Sequence, residues 1–371
     1  MPSEVVDLFT ELAALPSPPG EERAVADSVI RYLRDLGLTV DEDDAGSKVG
    51  SNIGNLYCRL EPTDGGSPIF LCAHLDTVPP TAAIEPVLED GVIRNGAGTI
   101  LGADNKSAVA AMLEGARRVL AENRPHGGIE LLFTPKEEVG LLGAAAFDHE
   151  RLHARLGYVY DQAAPIGEVI LGAPYSRAMQ VRFHGRAAHS GMYPEEGRSA
   201  IAAAAKAIAD FKLGRIDEDS TANVGIISGG TAGNIVPEWC TFLAEARSQD
   251  EGKLADLVQE MLEAVTFAAE LGECEVETEM KKSYRGYRFK QDDLAVRLAT
   301  DALRASGREP TFALSGGAAD ANVFNDRGLQ CVNLANGMAN IHTADEHISV
   351  DDLEGMIDVT LALVDAARDA A

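Results

Sequence analysis

The chain is short of positive charge: 32 Lys plus Arg stand against 59 Asp plus Glu in 371 residues, a formal net charge of −27 with His neutral. A surface of that sign repels phosphate, and no basic patch interrupts it, so no nucleic acid and no anionic membrane is expected as a partner. Long apolar runs are missing too. Nothing approaches the ~20 apolar residues that span a bilayer, and the N-terminus MPSEVVDLF lacks the basic and apolar stretches of a signal peptide. A cytoplasmic protein is expected. Cysteines are few and scattered: Cys58, Cys72, Cys240, Cys274 and Cys331 never form a CxxC pair, which argues against a disulfide framework or a thiolate zinc site. They read as buried thiols. What remains, 46% hydrophobic and 25% charged, is ordinary for a folded chain of two domains or one large one, and disorder is excluded. The acidic excess is compatible with a salt-rich cytoplasm, though charge speaks to solubility rather than fold.

Residues 3–15 read as a helix capped by Ser3 and stopped by Pro16, and residues 21–36 as a second with Gly37 past its end. Apolar runs at 69–75, 129–134 and 157–160, with a strongly helical stretch at 108–120, predict an α/β sheet with helices on both faces. From Ser176 the texture changes. An alternating strand at 178–183, an Ala-rich helix at 197–211, two strands around a Gly-rich turn within 224–247, a helix at 253–271 and an alternating strand at 274–284 follow in turn. That β-α-β-β-α-β order predicts a ferredoxin-like α+β sheet with two helices on one face. The α/β texture resumes with a helix at 293–305, short strands at 311–314 and 330–334, and a helix from about Val350. The expected organisation is therefore one domain of residues 1–175 and 285–371 with a second, 176–284, inserted, and hinges near 174–176 and 283–286.

Chemistry-bearing residues gather at the ends of the expected strands, where open α/β sheets place their sites. In CAHLDTV, His74 and Asp76 are two residues apart and share a strand face, so Asp76 can orient a metal-bound imidazole; otherwise both face solvent. In GADNKSA, Asp104 sits in a tight turn before a helix, as a cap or as a ligand. The pair Glu137 and Glu138 in PKEEVGLLG follows an apolar strand. At a strand end one can bind a cation while the other meets bound water, or both form a solvated pair. Asp161 closes GYVYD, and His342 follows a Gly/Asn-rich loop in NGMANIHTADE. Together these are nitrogen and oxygen donors without thiolate, a set that suits zinc, cobalt or manganese and a carboxylate-bridged pair of ions.

The segments HLDTV, GADNKSA, EEVGLLGA, the strand-closing Asp161 and IHTADE resemble the five metal-site motifs of the M20 metallopeptidase family, in the same order and with similar spacing. AAHSG and GGTAGNIVPE match as well, so the resemblance covers nearly the whole chain. SGGAADANVFNDRG with GGTAGNIVPE is most similar to the peptidase T-like, tripeptidase branch. The resemblance implies a zinc-exopeptidase-like mixed-sheet catalytic domain with the inserted domain as a lid. It implies two divalent metal ions, zinc or else cobalt or manganese, bridged by Asp104, with His74 and Asp161 on one and Glu138 and His342 on the other. Glu137 would be the general base, Asp76 the partner of His74, and the Asp104–Asn105 peptide cis.

In the lid, His189 would stabilise the oxyanion, often in the partner subunit's site, and Asn234 and Arg247 would hold substrate. Their ordinary alternatives are a turn Asn and an edge-strand Arg. A homodimer through the lid and a short peptide substrate are implied, with aminopeptidase action on tripeptides ahead of a carboxypeptidase or an N-acyl amino acid deacylase. A noncatalytic metal-binding scaffold is the alternative of another class. Asp320 and Asn322 in GGAADAN match a branch-typical loop near the pocket, or cap a helix. Some relatives carry Arg before that Gly-Gly pair, where this chain has Ser315. His126, His149, His153, His184 and His347 receive no role.

Overall fold

Strands with no polar position to turn outward must be covered on both faces. The apolar runs form strands Ile69–His74, Ile129–Thr134 and Leu156–Gln162, the first two buried at every position. Their alternate side chains serve two cores: Leu71, Ala73, Leu131, Phe133, Tyr158 and Tyr160 belong to one, and Phe70, Cys72, Leu132 and Val159 to the other. Ile69–His74 pairs in parallel with both of its neighbours. The structure, a computed structural model, describes residues 4–281 and 284–370. The cap expected at Ser3 and the hinge position Ser283 lie outside the described residues.

By its contacts the chain divides into two units, Met1–Gly172 with Tyr287–Ala371, and Ala173–Gly286. The sheet of the first unit runs Val40–Glu42, Leu56–Leu60, Ile129–Thr134, Ile69–His74, Leu156–Gln162, Gln330–Ala335, Glu168–Ala173 and Tyr287–Arg288, and Thr311–Leu314 also pairs with Glu168–Ala173. It is mixed: Gln330–Ala335 is parallel to Leu156–Gln162 but antiparallel to Glu168–Ala173. Helices Glu4–Ala13, Ala103–Ala121, Leu294–Ala305 and Val350–Asp369 line one core, and the short helices Leu142–Ala146 and Asp320–Asp326 the other. The helix expected at 108–120 begins earlier, at Ala103, although Asp104 and Asn105 have non-helical angles. Leu156–Gln162 runs past Asp161, which therefore lies inside the strand rather than closing it.

One small sheet is unforeseen. Pro86–Glu89 and Val92–Asn95 form a hairpin to which His347–Ser349 adds. Its turn is Asp90-Gly91, both at positive φ (49° and 79°), as a type I′ turn requires. Among the described residues no helix is long and apolar enough to cross a membrane.

The second unit is an antiparallel sheet in the order Gly214–Arg215, Ser220–Gly229, Trp239–Ser248, Tyr175–His184, Glu275–Lys281. Helices Ala200–Asp210 and Glu251–Leu271 pack with Met179, Val181, Phe183, Phe242 and Ala244 into its own core. Both helices start at side-chain caps, Ser199 accepting from the Ala202 amide and Asp250 from that of Lys253.

Packing between adjacent sheet strands leaves no room at Gly157, where an added Cβ would come within 2.0 Å of the Phe70 ring. Gly157→Ala should lower unfolding stability by about 1–3 kcal/mol, the usual range for overpacking. An unchanged denaturant midpoint would mean that Phe70 yields freely.

Candidate metal centre

Three adjacent parallel strands deliver acids and an imidazole to one sheet edge, their carboxyl ends. His74 ends its strand and is in register with Thr134, the last residue of the next. The chain beyond Thr134 turns at once: Lys136 takes φ +58°, and the amides of Gly140 and Leu141 both donate to the Glu137 carbonyl. In this turn the adjacent Glu137 and Glu138 are free of strand alternation. Asp76 fastens it, its carboxylate accepting from the Glu137 amide (2.9 Å) and the Glu138 amide (3.1 Å).

Asp76 also meets His74. The Nδ1 of His74 lies 2.8 Å from the Asp76 carbonyl oxygen, whereas the Asp76 carboxylate is 3.6 Å away and turned toward the two amides. A carbonyl only accepts, so Nδ1 carries the proton and donates, which leaves Nε2 as the atom facing the cluster. It lies 3.1 Å from one oxygen of Asp104 and 3.9 Å from Asp161.

Asp104 occupies the middle. Its Oδ1 faces His74, its Oδ2 is 3.2 Å from His342 Nε2, and the same His342 atom is 3.0 Å from Glu138 Oε1. Asp104 is not the helix cap; Gly102 holds that position, and the Asp104–Asn105 peptide is cis. His342, 45% exposed at its side chain, sits at φ +64° on the loop that leads to His347–Ser349. Among the described residues, two groups of donors have ligand atoms within 4.8 Å of one another: His74, Asp104 and Glu138, and His74, Glu137 and Asp161.

The electrostatics of the cluster ask for positive charge. Burial pushes the carboxyls of Glu137 and Asp161 well above the usual range, each with other acids alongside. Hydrogen bonds to Asp104 and then Glu138 raise His342 to about 10. At His74, burial disfavours the charged ring, and its contacts with Asp104 and Asp76 outweigh that. With the rings protonated, each Nε2–H donates to Asp104, and a divalent cation can take the place of those protons. Imidazole nitrogen and carboxylate oxygen are the donors that zinc, cobalt and manganese accept, so these residues fit such ions.

Two further acids stand close by. Asp320 is the first residue of its helix, after the cap position at Ala319, and it turns inward. Its Oδ2 accepts from the Thr134 hydroxyl at 2.5 Å, and burial raises its carboxyl to about 6. Asn322, not Asp320, serves the helix start, accepting from the Ala319 amide. Sequence reasoning passed over Glu346, although it stands four residues after His342. It also passed over Lys106, which burial lowers to about 7 and whose Nζ donates to the Leu15 carbonyl.

The remaining candidates belong to the second unit. His189 Nδ1 accepts from the amides of Gly191 and Met192, both at 3.2 Å, which leaves the proton on Nε2. The Ser190 amide donates to the Asn234 carbonyl, so His189 and Asn234 lie on adjoining segments. Arg247 stands on Trp239–Ser248, 3.1 Å from Glu245. His153 pairs with Glu130, and His184 stacks on Trp239 between Glu238 and Glu275.

A shared carboxylate flanked by imidazoles and acids, at the strand ends of a mixed α/β sheet, is the equipment of a metal-dependent hydrolase. A family profile for peptidase family M20/M25/M40 matches residues 70–366, and the chain belongs to that family; it is a metal-dependent peptidase. It is 38% identical over 363 residues to the uncharacterized protein YqjE of Bacillus subtilis (strain 168), with 98% of both chains covered. Two solved structures are similar over 98% of both chains. The aminopeptidase PepT from Bacillus cereus ATCC 10987 has a TM-score of 0.88 at 39% identity, and a tripeptidase from Staphylococcus aureus subsp. aureus Mu50 has 0.92 at 35%.

If the cluster binds divalent cations, zinc should raise the melting temperature of the metal-free protein, because a ligand that binds only the native state stabilises it. Asp104→Asn, which keeps the shape and removes the central charge, should abolish that rise in thermal unfolding with and without zinc.

Proposed function

We propose that the protein is a dinuclear aminopeptidase that releases the N-terminal residue of short peptides, tripeptides above all, working in the cytoplasm as a homodimer joined through its second unit. The observation that carries this reading is Asp104, whose two carboxylate oxygens face two different histidines. In this reading Asp104 with His74 and Asp161 would hold one zinc ion, and Asp104 with Glu138 and His342 would hold the other. Bound metal supplies a water acidified to about pKa 7 and a Lewis acid for the peptide carbonyl.

The chain's own residues do the rest. Glu137 takes the proton of the attacking water on its carboxylate and hands it to the leaving nitrogen, a role worth roughly 100- to 10,000-fold. Its burial suits the work, since burial raises the affinity of the carboxylate for a proton. Asp76 holds Glu137 and Glu138 in place through their amides and keeps the proton of His74 on Nδ1 through its carbonyl. His189, with its proton on Nε2, donates to the developing oxyanion, and Asn234 and Arg247 hold the substrate, the guanidinium gripping a terminal carboxylate. Aminopeptidase action is preferred to carboxypeptidase or deacylase action because of the similarity to PepT and to the tripeptidase over nearly the full length.

Three substrates separate these readings: a free tripeptide, the same peptide with a blocked N-terminus, and an acetyl amino acid. Hydrolysis of the first alone is expected, and cleavage of the blocked peptide at an equal rate would overturn the aminopeptidase assignment. Glu137→Ala should retain its metal while turnover falls at least about 100-fold; near-normal hydrolysis would remove Glu137 from the role of base. Light scattering at micromolar concentration should give the mass of a dimer, and a monomer would contradict assembly through the second unit.

A further inference from the structure

The long helix Ala103–Ala121 begins without a local side-chain cap, because the residue at its cap position, Gly102, has no side chain and sits at φ +79°. The amides at and just before its start are met from far along the chain. Glu346, only 1% exposed, accepts from the Leu101 amide (2.7 Å) and the Gly102 amide (2.8 Å) on Oε2, and from the Asp104 amide (2.9 Å) on Oε1. Three N–H donors converge on one carboxylate. This combines the satisfaction of orphan helix donors with favourable charge at a helix N-terminus.

The placement does more than cap a helix. Glu346 lies four residues after His342, on the same loop, and the Glu346 amide donates back to the Thr343 carbonyl within it. One bonded end of Glu346 is therefore the backbone of Asp104, and its other attachment is the loop that carries His342. Those are the two residues whose side chains meet at 3.2 Å. We propose that Glu346 is a positioning residue, a strut that sets the spacing between the Asp104 turn and the His342 loop and so fixes the ion site these two share with Glu138. The inference rests on the dinuclear reading of the centre.

A glutamine at 346 cannot replace this strut, although it has the same shape. Its amide offers one oxygen, and its NH2 group would point a donor at one of three donors. Isothermal titration of the metal-free protein with zinc is the test. Glu346→Gln should bind one of two zinc ions roughly 10- to 100-fold more weakly, the usual consequence of losing a group that orients a ligand, and leave the other within a few-fold.

The control is Glu130→Gln. Glu130 is as deeply buried and also accepts backbone amides, those of His153 and Ala154, but it does so away from the cluster. That variant should melt at a lower temperature with both zinc affinities unchanged. If Glu346→Gln melts lower but binds both ions like the wild type, Glu346 is a helix cap only and the proposal falls. Should Glu346→Gln not fold, Glu346→Asp, which keeps the charge one methylene short, supports the same comparison, with weakened uptake of one ion for the strut and two unchanged affinities against it. Failure of the wild type itself to bind two zinc ions would instead sink the dinuclear reading.

Discussion

Everything at the centre follows from negative charges held out of water. Asp104, Glu137, Glu138 and Asp161 crowd one sheet edge, with Asp320 near enough to act on Glu137 and Asp161, and like charges a few Å apart in a low-dielectric setting repel strongly. A protein can relieve that by protonating its acids, by recruiting imidazolium, or by binding cations. The geometry favours the last two. Protonating a carboxylate answers a single charge, whereas Asp104 directs each oxygen at a different imidazole and so divides its charge between two places at once. Burial makes the need sharper, because removing one partner from such a group leaves a charge without compensation.

The frame meets this demand with backbone rather than with more side chains. A parallel sheet puts the ends of neighbouring strands side by side, so His74 and the Glu137-Glu138 turn arrive together without any long loop. The turn is then held by amides donating to Asp76, and the stretch before Asp104 by amides donating to Glu346. Both acids spend their charge on N–H groups, which lets them sit beside the cluster without adding fully to its repulsion. The same device sets His189, where two amides on Nδ1 decide which ring nitrogen keeps the proton. Backbone donors suit this purpose because they cannot rotate away or lose a proton.

Much of this was legible in the residues. The buried strands announce themselves because a strand covered on both faces must be apolar throughout, and Ile69–His74 and Ile129–Thr134 are nearly so. The strand Tyr175–His184 is legible for the opposite reason: Met179, Val181 and Phe183 alternate with polar residues, as a sheet with one covered face demands. The hairpin at Asp90-Gly91 was missed despite a direct turn signal, because its strands are short, largely exposed and partly charged, so no apolar rhythm drew attention to them.

Inside the site the divide is physical. Residue type and position near a strand end were enough to bring His74, Asp104, Glu137, Glu138, Asp161 and His342 into consideration, since chemistry of that kind needs those donors. What Asp320 and Glu346 do, and the hold of Asp76 on the Glu137-Glu138 turn, was not legible, because a buried carboxylate is defined by the donors that reach it, and those come from elsewhere in the chain. The Thr134 hydroxyl meets Asp320 across 186 positions, and the Leu101 amide meets Glu346 across 245. No local pattern encodes such a meeting. A pattern can show that an acid stands beside a ligand, but whether it binds a cation, orients an imidazole or holds a loop is decided only when the fold selects its partners.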